Sequence, residues 1–316
     1  MKQTHWERFH QGGTLATCPT SPVGGYDEEL EAVWVDFFTP LPNDASILDV
    51  ATGNGAVLAI ASETNRRLKK RWQLHGSDLA RINPVSHVRD GKNLFAGCTF
   101  HPEVATEALP FSDSSLDAVC GQYALEYSDQ AKALLEISRV LKSAAQARFV
   151  LHNTQSLLVL NAHASLTEAE LVLDESRLYQ RLTRLVKMGD QSAAIDHPAT
   201  TQLRETLRSL RNAHSEAQKA GQGRVLEVSL DAVRKLLEMR LTSSPAVVTE
   251  QIQRVEQDLR YSVRRLRDLL AHALSEDDMN QLMVEAGEAG LKTVSMEPQY
   301  HRSDHLVGWC WTLSKS

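Results

Sequence analysis

The residues best placed to do chemistry lie in a short segment, residues 47–55 (ILDVATGNG), where an acid precedes two glycines. Asp49 ends an apolar run, and Gly53 and Gly55 let the backbone approach a ligand closely. A dinucleotide site instead has the pattern G-x-G-x-x-G, with its acid about 20 residues later. Leu58 stands where the third glycine would be. The segment therefore disfavours a pyrophosphate site and favours a ligand with a cationic or amino-acid portion.

A second acid, Asp78, ends the predicted strand WQLHGSD at residues 72–78. Its distance from the glycine segment suits a carboxylate that accepts both hydroxyls of a ribose. Such a carboxylate fits any nucleoside cofactor, so Asp78 alone does not choose between NAD and S-adenosylmethionine (SAM).

The elements that must position these acids alternate between short apolar runs and helix-like stretches, which is typical of a parallel sheet covered by helices. Ser275 and Asp278 resemble a capping box that starts a later helix, ending at about residues 287–290. Two further strands follow this helix. The predicted strands are residues 45–52, 72–78, 98–104, 116–123, 147–153, 291–301 and 305–313, with a helix at residues 130–142.

Residues 155–275 differ, because strand signals vanish and helical periodicity takes over. Polar breaks at residues 187–190, 221–223 and 243–245 predict about four helices. An apolar stripe on the last of them is typical of core or of a dimer seam, and consists of Ile252, Val255, Leu259, Leu266, Leu269 and Ala273. Arginines on these helices fit a solvated face or an anionic substrate.

Three segments in this order, LDVATGNG, GSDLA and EALPFSDSSLDAVCGQYALEY, resemble class I SAM-dependent methyltransferases of the ubiquinone-biosynthesis and methyltransferase-11 type. The resemblance covers residues 44–153 and, more loosely, 275–316. It implies a Rossmann-like α/β fold with a seven-stranded sheet whose last strand is antiparallel. The family has no fixed equivalent of the helical zone at residues 155–275.

The resemblance also implies roles for individual residues. Asp49 would help to hold the methionine ammonium of SAM, Asp78 the ribose hydroxyls, and Leu79 would pack on adenine. The full set of cofactor-binding candidates is Asp49, Ala51, Gly53, Asn54, Gly55, Asp78, Leu79, Thr106, Glu107 and Gln122.

Two positions depart from the family pattern. Ala51 replaces the usual first glycine, and Ala105 stands where relatives often carry the aspartate that accepts from the adenine amino group. We expect Thr106 to substitute through its backbone or hydroxyl.

Candidate catalytic residues lie at the ends of two predicted strands. Gln122 and Tyr123 either touch the cofactor or close the strand end. His152 lies at the carboxyl edge, where open α/β sheets bind ligands, and is a general base or a satisfied hydrogen-bonding residue. Ahead of the first motif, the aromatic residues Trp6, Phe9 and Tyr26 indicate a lid or a helix packed on the sheet.

Composition narrows the function classes. The chain has 316 residues, a formal net charge of −6 and four widely spaced cysteines. The charge disfavours nucleic acid and anionic membranes, no apolar run is long enough for a membrane span, and no metal site is expected. We therefore expect a cytoplasmic protein.

These observations predict an α/β Rossmann-like methyltransferase with a mostly helical insertion. We expect an N-terminal lid or cap (residues 1–43), a SAM-binding core (44–154), a helical insertion for the acceptor pocket or for homodimer formation (155–275), and a helix and two strands that complete the core (276–316). The predicted reaction is methyl transfer from SAM to a small-molecule acceptor, releasing S-adenosylhomocysteine (SAH). The alternatives are an RNA or protein methyltransferase, a non-catalytic binding or scaffold protein of the same fold, and an NAD-dependent oxidoreductase. The sequence does not identify the acceptor.

Overall fold

The computed structural model describes residues 4–18, 25–188 and 197–316. It divides into two compact units, Met1–Val159 with Ala271–Ser316, and Leu160–Leu270. Parts of the predicted lid (residues 1–3 and 19–24) and of the predicted break at 187–190 (residues 189 and 190) lie outside the described residues. No helix in the described ranges is long and apolar enough to cross a membrane.

The first unit is built on a seven-stranded sheet with the order β3-β2-β1-β4-β5-β7-β6. The first five strands pair in parallel, and β7 runs antiparallel to both β5 and β6. This confirms the Rossmann-like α/β prediction, including the antiparallel last strand. The strands are β1 (Ser46–Val50), β2 (Gln73–Asp78), β3 (Cys98–Pro102), β4 (Leu116–Gln122), β5 (Leu141–Leu151), β6 (Leu291–His301) and β7 (His305–Lys315).

Helices cover both faces of this sheet, because alternate residues of the strands point to opposite sides. Ile47 of β1 belongs to one apolar cluster, and Leu48 and Val50 belong to another. The helices of this unit are α1 (Thr4–Gln11), α2 (Glu28–Phe38), α3 (Ala56–Leu68), α4 (Pro84–His87), α5 (Gly91–Leu94), α6 (Gln130–Val140) and α12 (Glu276–Glu288).

Helix α12 begins at the predicted capping box. The Ser275 hydroxyl and the Asp278 carboxylate each bond to the other residue's backbone N–H. Strand β5 starts six residues before its predicted start, at Leu141 instead of residue 147, and so takes the last two residues predicted for helix α6.

The second unit is helical, and the prediction of four helices in this zone was wrong. Five are described: α7 (Leu157–Glu170), α8 (Leu178–Lys187), α9 (Pro198–Lys219), α10 (Arg224–Met239) and α11 (Pro245–His272). The additional break is a π-helical turn, Leu171–Glu175, followed by Arg177 in the left-handed region at φ 48°. Neither glycine nor proline marks this break, so the usual sequence signals do not show it.

The chain leaves the sheet unit after β5 and rejoins it before α12, and hydrogen bonds connect these two segments. Asn153 and Leu274 form an isolated parallel bridge. The Leu274 N–H donates to the His152 carbonyl at 2.8 Å, and the Thr154 N–H donates to the Leu274 carbonyl at 3.1 Å. The Trp309 indole also donates to the Leu274 carbonyl, at 3.0 Å. The two ends of the intervening segment are therefore fixed side by side on the sheet.

Candidate functional site

The predicted site residues gather at the carboxyl edge of the sheet, where the chain changes direction between β1 and β4. From β1 the chain builds outward through β2 to β3, and then returns to add β4 on the other side of β1. Ligands of open α/β sheets bind at such a switch point. Asp49, Asp78 and Gln122 lie at the ends of β1, β2 and β4, so the topology brings them to one edge.

The turn after β1 has an unusual backbone. Ala51, Gly53 and Gly55 have φ values of 47°, 53° and 81°. The left-handed region costs a residue with a Cβ roughly 1–2 kcal/mol, so Ala51 carries backbone strain that a glycine would not. A Cβ at Gly53 would lie 2.7 Å from the His10 ring, so glycine is required there for space as well.

Asp49 and Asp78 are buried beside this turn. The Thr52 hydroxyl donates to Asp49 Oδ2 at 2.5 Å, and the Gly53 N–H donates to Asp78 Oδ2 at 2.8 Å. The Ala80 N–H donates to Asp78 Oδ1 at 2.7 Å. The second acid therefore holds the glycine turn in place.

Burial makes the charge of both acids unfavourable. It raises the pKa of Asp49 to about 7, with a further contribution from the charge of Asp78, and the hydrogen bonds from Thr52 and Cys120 only partly oppose this. Burial likewise raises the pKa of Asp78 to about 6, against the two backbone N–H donors. A positive group or additional donors beside these carboxylates would stabilise their ionised forms.

Asn54 connects the glycine turn to helix α1. Its side-chain amide donates to the carbonyls of His10 at 3.0 Å and Thr14 at 2.8 Å. Its Oδ1 is buried and, among the described residues, accepts no hydrogen bond; the same holds for the buried Ser77 hydroxyl. The turn thus offers a buried acceptor between its two glycines.

The predicted adenine side adjoins Asp78. Leu79 is 52% exposed, which leaves an apolar side chain available next to the acid. The Val104 N–H donates to the Asp78 carbonyl at 2.9 Å and so places the following segment beside it. Thr106 is buried there, whereas the Glu107 carboxylate accepts from the Asp129 N–H at 2.7 Å and holds the start of helix α6.

Gln122 and Tyr123 are both fixed by hydrogen bonds. Gln122 Oε1 accepts from the indole of the fully buried Trp34 at 2.7 Å. Tyr123 has φ 55°, and its hydroxyl donates to the Val307 carbonyl at 3.1 Å. Its ring stacks on His152, with centroids 4.1 Å apart and planes at 4°.

His152 is buried, and its Nδ1 has no hydrogen-bond partner among the described residues. Burial lowers its pKa to about 3. A neutral imidazole with this pKa is a weak base near pH 7, so His152 is poorly suited to the predicted role of general base.

Glu126 is a buried carboxylate at this edge of the sheet that sequence reasoning did not single out. It lies in the 3₁₀ turn Leu125–Tyr127 directly after β4 and is 1% exposed. Its Oε1 accepts from the His152 N–H at 2.8 Å. The only available signal was its place in the segment ALEY after β4, where a glutamate is expected to be solvated.

The aromatic N-terminal segment also meets this edge. Trp6 packs against Tyr127 at 6.0 Å between ring centroids, and His10 packs beside Gly53. Tyr26 is buried. Helix α1 therefore lies directly against the predicted cofactor turn, a position that fits both the lid and the packed-helix interpretations.

Comparison with known families identifies part of the chain. Residues 48–149 match the family described as "Methyltransferase domain". This match to a methyltransferase family confirms the resemblance over this segment. No curated protein sequence matches the chain.

Solved structures match shorter parts of the chain. A SAM-dependent methyltransferase from Aquifex aeolicus is 20% identical, with 40% of this chain and 64% of that chain covered and a TM-score of 0.33. A putative methyltransferase from Bacillus halodurans is 18% identical, with 43% and 59% covered and a TM-score of 0.31. A geranyl diphosphate methyltransferase in complex with GPP and sinefungin is 16% identical, with 42% and 51% covered and a TM-score of 0.34. The chain spans less than two thirds of each of these proteins.

Proposed function

We propose that the methyltransferase domain at residues 48–149 binds SAM at the glycine turn and transfers its methyl group to a small-molecule acceptor, releasing SAH. One observation carries the proposal. Two buried carboxylates with raised pKa values and the buried Asn54 Oδ1 lie beside a turn that Gly53 and Gly55 allow to take a left-handed backbone. These groups are acceptors, so they suit a ligand that brings a positive amino group and hydroxyl donors.

The residues present fit SAM in most respects. Asp49 and Asn54 offer acceptors for an ammonium group, Asp78 for ribose hydroxyls, and the exposed Leu79 an apolar surface for adenine. Ala105 offers no carboxylate for the adenine amino group, so we assign that contact to Thr106. SAM supplies a methyl carbon already activated by the positive sulfonium.

The protein's contribution to such a reaction is chiefly positioning. Holding an acceptor in line with an activated methyl carbon and excluding water accelerates transfer before any catalytic residue contributes. The fixed rings of Tyr123 and His152 and the buried turn provide a rigid wall at the sheet edge.

A small-molecule acceptor is the preferred class, since the net charge of −6 disfavours nucleic acid. For the helical unit we propose acceptor binding or homodimer formation. An RNA or protein acceptor is the alternative, and a contiguous basic face on the helical unit would favour it.

The first test is calorimetric titration with SAM, SAH and NAD. We expect saturable SAH binding and no heat with NAD. Asp49→Ala and Asp78→Ala should each weaken SAH binding at least about tenfold, or ~1.4 kcal/mol, because each removes a charge-assisted hydrogen bond. The matched control is Asp44→Ala, which removes an exposed aspartate paired with Arg71 on the surface.

The pH dependence provides a second criterion. SAH affinity should rise as the pH rises through about 7, because Asp49 must be ionised to hold an ammonium group. Unchanged affinity in both folded site variants would refute the site. SAH binding without transfer to any acceptor class would favour a non-catalytic binding protein, and NAD binding without SAH binding would favour an oxidoreductase.

A further inference from the structure

Glu126 has one carboxylate oxygen committed to the fold and one that is not. Oε1 accepts from the His152 N–H, whereas Oε2 is buried and has no hydrogen-bond partner among the described residues. A buried carboxylate oxygen without a donor is costly, and such atoms mark places where a ligand completes the site.

Aromatic residues lie next to Glu126: Tyr127 follows it in the chain, and the charge of Glu126 contributes to the raised pKa of Tyr123. Tyr123 stacks on His152, and the Tyr127 ring meets His152 edge-on at 6.1 Å between centroids. Tyr127 also packs at 5.0 Å against His272. Flat apolar surfaces of this kind favour a planar, aromatic ligand.

We propose that Glu126 is a catalytic residue, whose Oε2 accepts a hydrogen bond from an O–H or N–H group of a small aromatic acceptor and takes its proton during methyl transfer. This inference rests on the proposed function and specifies its substrate class, phenols and aromatic amines. It also assigns the base role to Glu126 instead of His152.

A lone pair of the acceptor oxygen or nitrogen forms a bond to the methyl carbon, and the carbon–sulfur bond breaks with its electron pair left on sulfur. The O–H or N–H bond leaves its electron pair on the acceptor atom. Its proton moves to Glu126 Oε2 and then to solvent, and SAH is released.

The electrostatics of the site agree with this role. Burial raises the pKa of Glu126 to about 7, which is well matched to a base at neutral pH. The titratable groups that face it are Cys18, Tyr123 and His152. Burial raises the pKa of Cys18 to about 12 and that of Tyr123 above its usual range, and lowers that of His152 to about 3, so these three stay neutral near pH 7.

The variant that tests the proposal is Glu126→Gln. Glutamine keeps the carbonyl oxygen that accepts from the His152 N–H, but its amide can no longer take a proton. The control is Glu136→Gln, in helix α6, where the glutamate accepts from the Leu109 N–H and pairs with Arg139.

Three measurements are combined. Methyl transfer from radiolabelled SAM is measured with phenol, catechol and aniline, and with anisole and N,N-dimethylaniline as capped counterparts. SAH binding is measured by calorimetry in every variant. Carboxyl titration is followed by NMR of protein labelled with ¹³C at the glutamate carboxyl carbon.

We expect transfer to uncapped probes only. Glu126→Gln should lower kcat by at least about a hundredfold, the usual contribution of a general base, while SAH affinity and the Glu136→Gln control stay within about twofold. In the wild type, kcat measured at saturating SAM and acceptor, where the effect of Asp49 on SAM affinity no longer contributes, should rise with pH through about 7, and one glutamate resonance should titrate there. Both features should be absent from Glu126→Gln.

A protein that binds SAH but methylates none of the uncapped probes would overturn the inference, as would an unchanged kcat in Glu126→Gln. A flat wild-type profile of kcat at saturating SAM between about pH 5.5 and pH 8 would do so without any variant, which covers the case in which Glu126→Gln does not fold. Absence of SAH binding in the wild type would instead refute the proposed function, and the inference with it.

Discussion

Asp49 should make the ligand-free protein less stable at neutral pH than it would be with a neutral residue in its place. The carboxyl group is 2% exposed, and burial together with the charge of Asp78 raises its pKa to about 7. Asp49→Asn has nearly the same shape, keeps an oxygen that accepts from the Thr52 hydroxyl, and removes the charge.

The size of the effect follows from the pKa shift. The pKa rises from 3.8 to about 7, or roughly 3 units, which corresponds to ~4 kcal/mol at 1.36 kcal/mol per unit. Because the folded-state pKa lies above the unfolded one, protonated Asp49 stabilises the fold in acid, and this contribution is lost as the pH rises through about 7. Between about pH 5 and pH 8 the wild type should therefore lose about 3 kcal/mol relative to Asp49→Asn.

Urea unfolding of both proteins across this pH range measures the difference directly. Subtracting the two curves removes the contribution of Glu126, which both proteins share, and leaves that of Asp49 together with its coupling to Asp78. Asp44→Asn, a change at the surface, should give a curve parallel to the wild type. Parallel curves for the wild type and Asp49→Asn would show that the Asp49 charge is not disfavoured by the fold, and the argument from burial would fail.

Two further predictions concern hydrogen bonds that hold the fold. Gln122→Leu removes the acceptor of the buried Trp34 indole and should lower the free energy of unfolding, measured by urea titration, by about 1–3 kcal/mol. Gln122→Glu keeps an acceptor and should cost less. Equal losses in the two variants would contradict this prediction. The Glu168 carboxylate accepts from the N–H groups of Gly223, Val225 and Leu226 at the start of helix α10. Glu168→Ala should therefore lower the free energy of unfolding by about 2 kcal/mol, measured by thermal unfolding, and Glu168→Gln should lower it by less. An unchanged Tm in Glu168→Ala would refute this capping role.

The sheet was predictable because its signals are local. Short strand-like segments that lead to Asp49 and Asp78 mark the carboxyl ends of β1 and β2, and the glycines after Asp49 mark the turn. The capping box at Ser275 is likewise a short-range pattern, and the structure contains it as predicted.

What the sequence did not reveal depends on distant partners. The polar start of β5 at residues 141–146 has no strand-like pattern, and at Gln146 its pairing is with Ala118 of β4 and Ser314 of β7. Glu126 has a raised pKa because it is buried next to His152, a residue 26 positions away in the chain. The break after α7 depends on the left-handed conformation of Arg177, and no glycine at this position indicates that conformation in the sequence.

The bridge between Asn153 and Leu274 has a consequence for how this chain can change over evolution. It joins the two ends of a segment of about 120 residues, and closing a loop costs free energy that grows only with the logarithm of its length, about 0.6 kcal/mol for each doubling. The inserted segment can therefore lengthen, shorten or be exchanged with little effect on the sheet that carries the glycine turn. A lineage could retain one methyl-donor site and acquire new specificities by replacing the segment between these two attachment points.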